Sequence, residues 1–461
     1  MKKIDIAIIW AGVSWLYIAN DLLHKWISPK LYESSNRIWW RIYTDVFEKD
    51  PNAIAELWAM RFSTAHINLV NLLKRFDIKT IDFPDALLTP TRLNYNGENY
   101  NINPWDSLPK DIQNIRSKIM YIIQPLIQSI NEDINNLDYI IKEYKNNSLR
   151  SMLSKNWWTN EEILLLWWVW LWGWWLDSFL DNSFVEVLKM FNFSLDNRRL
   201  VVWWMSKIIN SLWHEKIWLN KKSLFDIMSK NIWIWAQEIW KDGNKIYIID
   251  SKWYKILYDK VIITLPLPAI KQILIKDNLF TDEQKIAINE LPIKKAVKIF
   301  FLTKNAFRKG DFSKDVIRTT VTDNPLRTLS LFDKTHFWTD TNAWVILASY
   351  SFGEASLVFD KLSNDDKVNL VIESIEKIYW KDLINILKDE IIETKIISWN
   401  TEPWCNWAYV QSFPWQENIR QSFSKTNDDN LIVIGEATAP IHLWWRVEWA
   451  IYSASKAIEK I

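Results

Sequence analysis

Apolar positions along the chain fall into two rhythms. Residues 4–9 form a short apolar run, followed by a turn, a helical pattern from Val13 to His24, and a second short run through Lys30, Leu31 and Tyr32 to Glu33. Strand, helix, strand in that order is the unit of a parallel nucleotide-binding sheet. Apolar spacings of three and four predict helix over 62–75, 111–150 and 184–191, so the section from about 110 to 215 reads as mainly helical. From residue 244 the period shortens, and strands are predicted at 245–250, 255–257, 260–265, 296–303, 329–332 and 344–352, with helix near 364–388. The last segment reads as a strand at 431–434, a loop and a terminal helix. The nucleotide-binding unit and this closing strand and helix lie at opposite ends of the chain, which implies discontinuous domains.

Charge and cysteine content remove whole classes of function. Lys and Arg total 56 against 55 Asp and Glu, a net charge of +1, which leaves no field to steer the chain to nucleic acid or an anionic membrane. The single cysteine, Cys405, excludes an internal disulfide and a cysteine-built metal site, and five scattered His argue against a metal enzyme. The opening MKKIDIAII carries Asp5 in too short an apolar run for a signal peptide, and the stretch 164–176 falls short of the roughly 20 residues needed to span a bilayer. A soluble, cytoplasmic protein is expected.

Composition then changes the picture. Trp is 33 of 461 residues and Gly only 7, as though the two frequencies had been exchanged. Turns, helix ends and close backbone approaches need glycine. Either the protein is unusually rich in Trp, or many written Trp stand where the chain carries Gly, as happens when the triplet UGA is read as Trp in one genetic code and Gly in another.

The motifs favour the second alternative. Residues 8–16 read Ile-Ile-Trp-Ala-Gly-Val-Ser-Trp-Leu between strand and helix, where a dinucleotide fingerprint needs glycine at three places. Gly12 is present; Trp10 and Trp15 hold the other two. Glu33, 18 residues beyond Trp15, stands where a carboxylate accepts hydrogen bonds from an adenosine ribose. After it, Arg37-Ile38-Trp39-Trp40-Arg41, with the two Trp read as Gly, resembles the E-x-x-x-R-x-G-G-R signature of the flavin-containing amine oxidase superfamily. Taken without the family, Arg37 and Arg41 are a solvated basic pair.

The likeness continues along the chain and is similar to the branch of L-amino-acid oxidases and tryptophan 2-monooxygenases. Glu56-Leu57-Trp58-Ala59-Met60-Arg61 matches a segment that passes Met60 under the flavin and offers Arg61 to a substrate carboxylate, a role suited to the guanidinium fork. Trp203-Trp204-Met205 resembles a G-G-M turn ahead of a strand, and Lys298 matches the family's catalytic lysine, which holds a water against the flavin. Gly435, Glu436 and the run Trp444-Trp445-Arg446-Val447-Glu448-Trp449 resemble the closing motif, in which Glu436 meets the ribityl chain, Val447 lies at the cofactor and the carbonyl of Trp445 receives the substrate amine. Tyr409 would wall the substrate pocket, and Arg446, in place of an aromatic residue, would favour a polar or acidic substrate side chain. Ala408 occupies the position of a flavin-linking Cys, so FAD is expected to be bound non-covalently. Without the family, Arg61 is a surface residue, Lys298 points outward from an edge strand, and Arg446 pairs with Glu448.

The resemblance implies an α/β (α+β) fold: a Rossmann-like FAD-binding domain (1–62, 200–288, 425–461), a mixed-sheet substrate-binding domain (63–109, 289–424) and a helical insertion (110–199). It implies oxidation of the amine of an L-amino acid, with O₂ as final acceptor, a small-molecule partner, no nucleic acid or membrane partner, and room for a homodimer. Three alternatives stay open: an amine or polyamine oxidase, an amino-acid 2-monooxygenase, and a non-catalytic binding protein in which the Trp are real.

Overall fold

The computed structural model describes residues 4–10, 12–35, 41–83, 91–95, 97–102, 109–166, 176–193, 198–202, 204–216, 222–229, 233–276, 279–304, 319–332, 343–379, 387–403, 408–438 and 446–461. The strand Ile6–Ile9 is apolar throughout because both its faces are covered. It pairs in parallel with Lys30–Tyr32 on one side and Lys260–Ile263 on the other, and Leu431–Val433 adds a fourth parallel strand. Alternation along the strand divides two layers. Ile6 and Ile8 face the helices Val13–His24, Lys207–His214 and Arg446–Ile458. Ala7 and Ile9 face an antiparallel meander of Ala236–Asp242, Lys245–Asp250 and Lys255–Tyr258 through Ile239, Ile246 and Ile248.

The second sheet has seven strands, with Ala296–Thr303 interior between Ile391–Ser398 and Trp344–Phe352. Val297, Ile299 and Phe301 pack on the helix Asn364–Tyr379. Ala296, Phe300 and Leu302 face the main core, and Lys298 shares their parity. The alternative of an outward lysine on an edge strand therefore fails: its strand is central and Lys298 is 0% exposed.

Three other expectations need correction. Residues 62–75 are not one helix: Phe62–Ser63 pairs as a strand with Arg198–Val201, and the helix starts at Ile67, where the apolar spacing begins to face a core. That same strand, Arg198–Val201, interrupts the section read as helical, and Met205 leads into the helix Lys207–His214 rather than into a strand. The short strands Thr91–Tyr95 and Glu98–Ile102 escape a reading by apolar pattern because they are largely polar.

The helical section is pinned to the C-terminal part by a buried ion pair. Arg420 meets the carboxylate of Glu186, which also accepts from the Ser412 amide. Both side chains are about 95% buried. Removing one partner strands a charge, so Glu186→Ala should lower unfolding stability by about 3–5 kcal/mol in urea titration. A loss within experimental error would show that the pair carries no structural weight.

Candidate active site

The strand Ile54–Glu56 ends in a loop, 57–61, whose carbonyls are captured one after another. Lys298 Nζ donates to the carbonyls of Glu56 (2.9 Å) and Trp58 (2.7 Å), and Trp399 Nε1 donates to that of Leu57 (3.0 Å). The Lys298 ammonium also lies over the Tyr350 ring, 4.6 Å from its centroid. The Glu56 side chain turns the other way, accepting from Thr44 Oγ1 and the Met205 amide, each at 2.6 Å.

Held this way, the loop lines a cavity of about 90 Å³ with Trp58, Met60, Arg61, His66, Lys298 and Tyr350, closed by Val447 and Glu448. Arg61 lies over Phe83, 4.9 Å from the ring centroid. Tyr409 does not line this cavity; it stacks edge-on behind Phe352, which does. Glu448 caps the helix Ile67–Arg75, accepting from the Asn68 amide and side chain and from the Leu69 amide.

A second cavity, about 360 Å³, opens at the carboxyl ends of Ile6–Ile9 and Lys30–Tyr32, where open α/β sheets bind ligands. Trp10, Tyr32, Ser34, Trp235, Gln237 and Gln272 are among its walls. Gly12 is the N-cap of the helix Val13–His24, and Glu33 is fully buried with its carboxylate accepting from the Ser35 amide at 2.7 Å. Arg41 and Glu436, each expected at the cofactor, pair with one another at 3.1 Å, and Arg41 also donates to the Ala408 carbonyl. Gly435 holds φ +126°, a conformation that favours glycine. Trp15 is buried in its helix against Trp213. Trp40 and Trp445 lie outside the described residues, as does the side chain of Arg446.

A sequence profile of the flavin containing amine oxidoreductases matches residues 14–162 and 238–459. The chain belongs to this family. Tryptophan 2-monooxygenase of Pseudomonas savastanoi is 41% identical over 98 residues, a match spanning 21% of this chain and 18% of that enzyme. YobN of Bacillus subtilis (strain 168), provisionally named an L-amino-acid oxidase, is 22% identical over 95% of this chain and 91% of its own. Putrescine oxidase, solved with putrescine, shares the fold at a TM-score of 0.75 and 14% identity, covering 99% of this chain and 98% of that one.

For a flavin dinucleotide, the family's chemistry, the polar groups fit: a buried acid after the second strand, a helix N-terminus, and a cation inside a cavity. Two indoles do not. Trp10 fills the phosphate turn, its Cδ1 3.9 Å from the position a Gly12 Cβ would take. Trp58 packs against Phe352 and Trp399 beside a cavity far below the roughly 300 Å³ of small-molecule sites.

The motifs assign no role to Glu56, His66 or Tyr350. The available signal was an acid ending an apolar run and a lone His just before a helix. Burial raises the Glu56 carboxyl from 4.5 to about 7 and lowers the His66 imidazole from 6.5 to about 3. The two act oppositely on stability. The folded Glu56 keeps its proton where the unfolded one has lost it, so stability present below pH 4.5 is lost as pH rises towards 7. The folded His66 stays neutral, so stability present above 6.5 is lost as pH falls towards 3. Glu56→Gln should remove the first slope, leaving stability that only climbs with pH between these limits; urea midpoints across the range with an unchanged pH profile would refute this.

Proposed function

We propose that this protein oxidises the amine of an L-amino acid with non-covalently bound FAD, giving an imine that hydrolyses to a keto acid and ammonia, with O₂ reduced to H₂O₂. The observation that carries the reading is Arg61 and Lys298 on one cavity. A half-buried guanidinium fork suits a carboxylate, which simple amines lack. The flavin, when bound, supplies the two-electron acceptor for the substrate's Cα hydride.

The chain's own residues do the positioning, the largest contribution available to a reaction of this kind. Arg61 would hold the α-carboxylate, and Tyr350 and Phe352 would form an apolar wall that excludes water. Lys298, spanning two carbonyls, fixes the loop that presents Met60 and Arg61. Val447 lies in the first turn of the helix Arg446–Ile458, whose N-terminal dipole end favours negative charge at the site. Gly12, Glu33 and the Arg41–Glu436 pair would serve the dinucleotide, within a cofactor domain built from 1–62, 200–288 and 425–461. The substrate and helical domains would comprise 63–109 with 289–424, and 110–199.

Arg61→Ala should raise KM about 10- to 100-fold for amino acids while sparing amines without a carboxylate, as expected for loss of a charged hydrogen-bond pair. Equal effects on both substrate classes would favour an amine or polyamine oxidase.

A further inference from the structure

The indole at residue 10, in the turn proposed to hold the cofactor, belongs to a wider set defined by the backbone. Among the described residues, eight other than glycine have positive φ, and six are tryptophan: Trp10 (85°), Trp26 (65°), Trp157 (61°), Trp233 (76°), Trp253 (63°) and Trp415 (65°). In this region the Cβ of an L-residue crowds the neighbouring carbonyl; glycine enters freely, Asn and Asp occasionally. Trp is 33 of 461 residues, so even placement would put fewer than one of the eight there.

Hydrogen bonding identifies the turns concerned. After the helix Val13–His24, the Trp26 amide donates to Leu23 and the Ile27 amide to Leu22. After Leu149–Lys155, the Trp157 amide donates to Ser154 and the Trp158 amide to Leu153. Both are helix ends of the Schellman type, in which the left-handed residue is usually glycine. The helix Ile67–Arg75 ends the same way, with Asp77 in that slot. Successive hairpins of the meander turn on Gly243 (φ 59°) and then on Trp253 (φ 63°), the second closed by bonds between Trp253 and Asp250 and between Asp250 and Tyr254. Five of the six indoles are 59–89% exposed, so burial does not compensate the strain. Trp399 contrasts with them: it is fully buried and its Nε1 donates to Leu57.

We infer that the protein made in its own cell carries glycine at residues 10, 26, 157, 233, 253 and 415, through decoding of UGA as glycine, and that Trp399 is a true tryptophan. Glycine at residue 10 would clear the turn for a pyrophosphate. What that change does there rests on the proposed cofactor; the assignment rests on the backbone.

The test is peptide mass spectrometry of the protein purified from its own cells, read beside the coding triplets. Glycine and UGA are expected at the six positions, with tryptophan and UGG at 399. Tryptophan in the peptides, or UGG, at 26, 157 and 253 overturns the inference. As a second measurement, the recombinant chain with all six Trp→Gly changes should melt at a higher temperature than the chain as written; an equal or lower melting temperature counts against it. A glycine-bearing protein that is colourless would sink the flavin reading and leave this inference standing, whereas a yellow protein with tryptophan peptides would do the reverse.

Discussion

A fully buried ammonium must find acceptors, and Lys298 finds them in the chain's own backbone. By spanning the carbonyls of Glu56 and Trp58, it fixes a loop that lacks regular structure of its own. Trp399 secures the carbonyl between them. The course of that loop decides where Met60 and Arg61 sit, and the opposite turn of the Glu56 side chain ties the same loop to the start of Lys207–His214. Loss of this one cation would take its donor from both carbonyls together, so the strand carrying Lys298 and the loop carrying Arg61 behave as one unit.

What could be read from the sequence follows from range. The strand, turn and helix at the N-terminus are local, and their apolar run together with Gly12 and Glu33 announces them. Strand 296–303 was legible as well, yet which way Lys298 points was not, because that depends on which neighbours flank the strand. Glu448 capping the helix at Asn68 and Leu69, and Arg41 meeting Glu436, join residues 380 and 395 positions apart. No periodicity carries such information. Likewise the polar strands Thr91–Tyr95 and Glu98–Ile102 owe their form to sheet partners rather than to a pattern of their own.

The tryptophans show the opposite case, in which local sequence and local structure disagree. A natural sequence agrees with its fold at turns, caps and core alike, with departures expected at functional sites. Here the departures recur at exposed helix ends and a hairpin turn as well as at residue 10, and six of the eight among the described residues involve one residue type. Strain serving catalysis would cluster; strain arising from one misread letter is scattered wherever that letter falls.

The Glu448 cap also imposes an order of events. The helix Ile67–Arg75 leaves the ribosome long before the carboxylate that satisfies its first amides, and at translation rates of 5–20 residues per second the interval over 380 residues is roughly 20–80 s. The fourth strand of the parallel sheet, Leu431–Val433, is equally late. During synthesis the nascent chain therefore holds an open sheet edge and an uncapped helix beside an incomplete site. The candidate site is complete only once Glu448 has been made, and the sheet edge left open until Leu431–Val433 arrives is Lys260–Ile263.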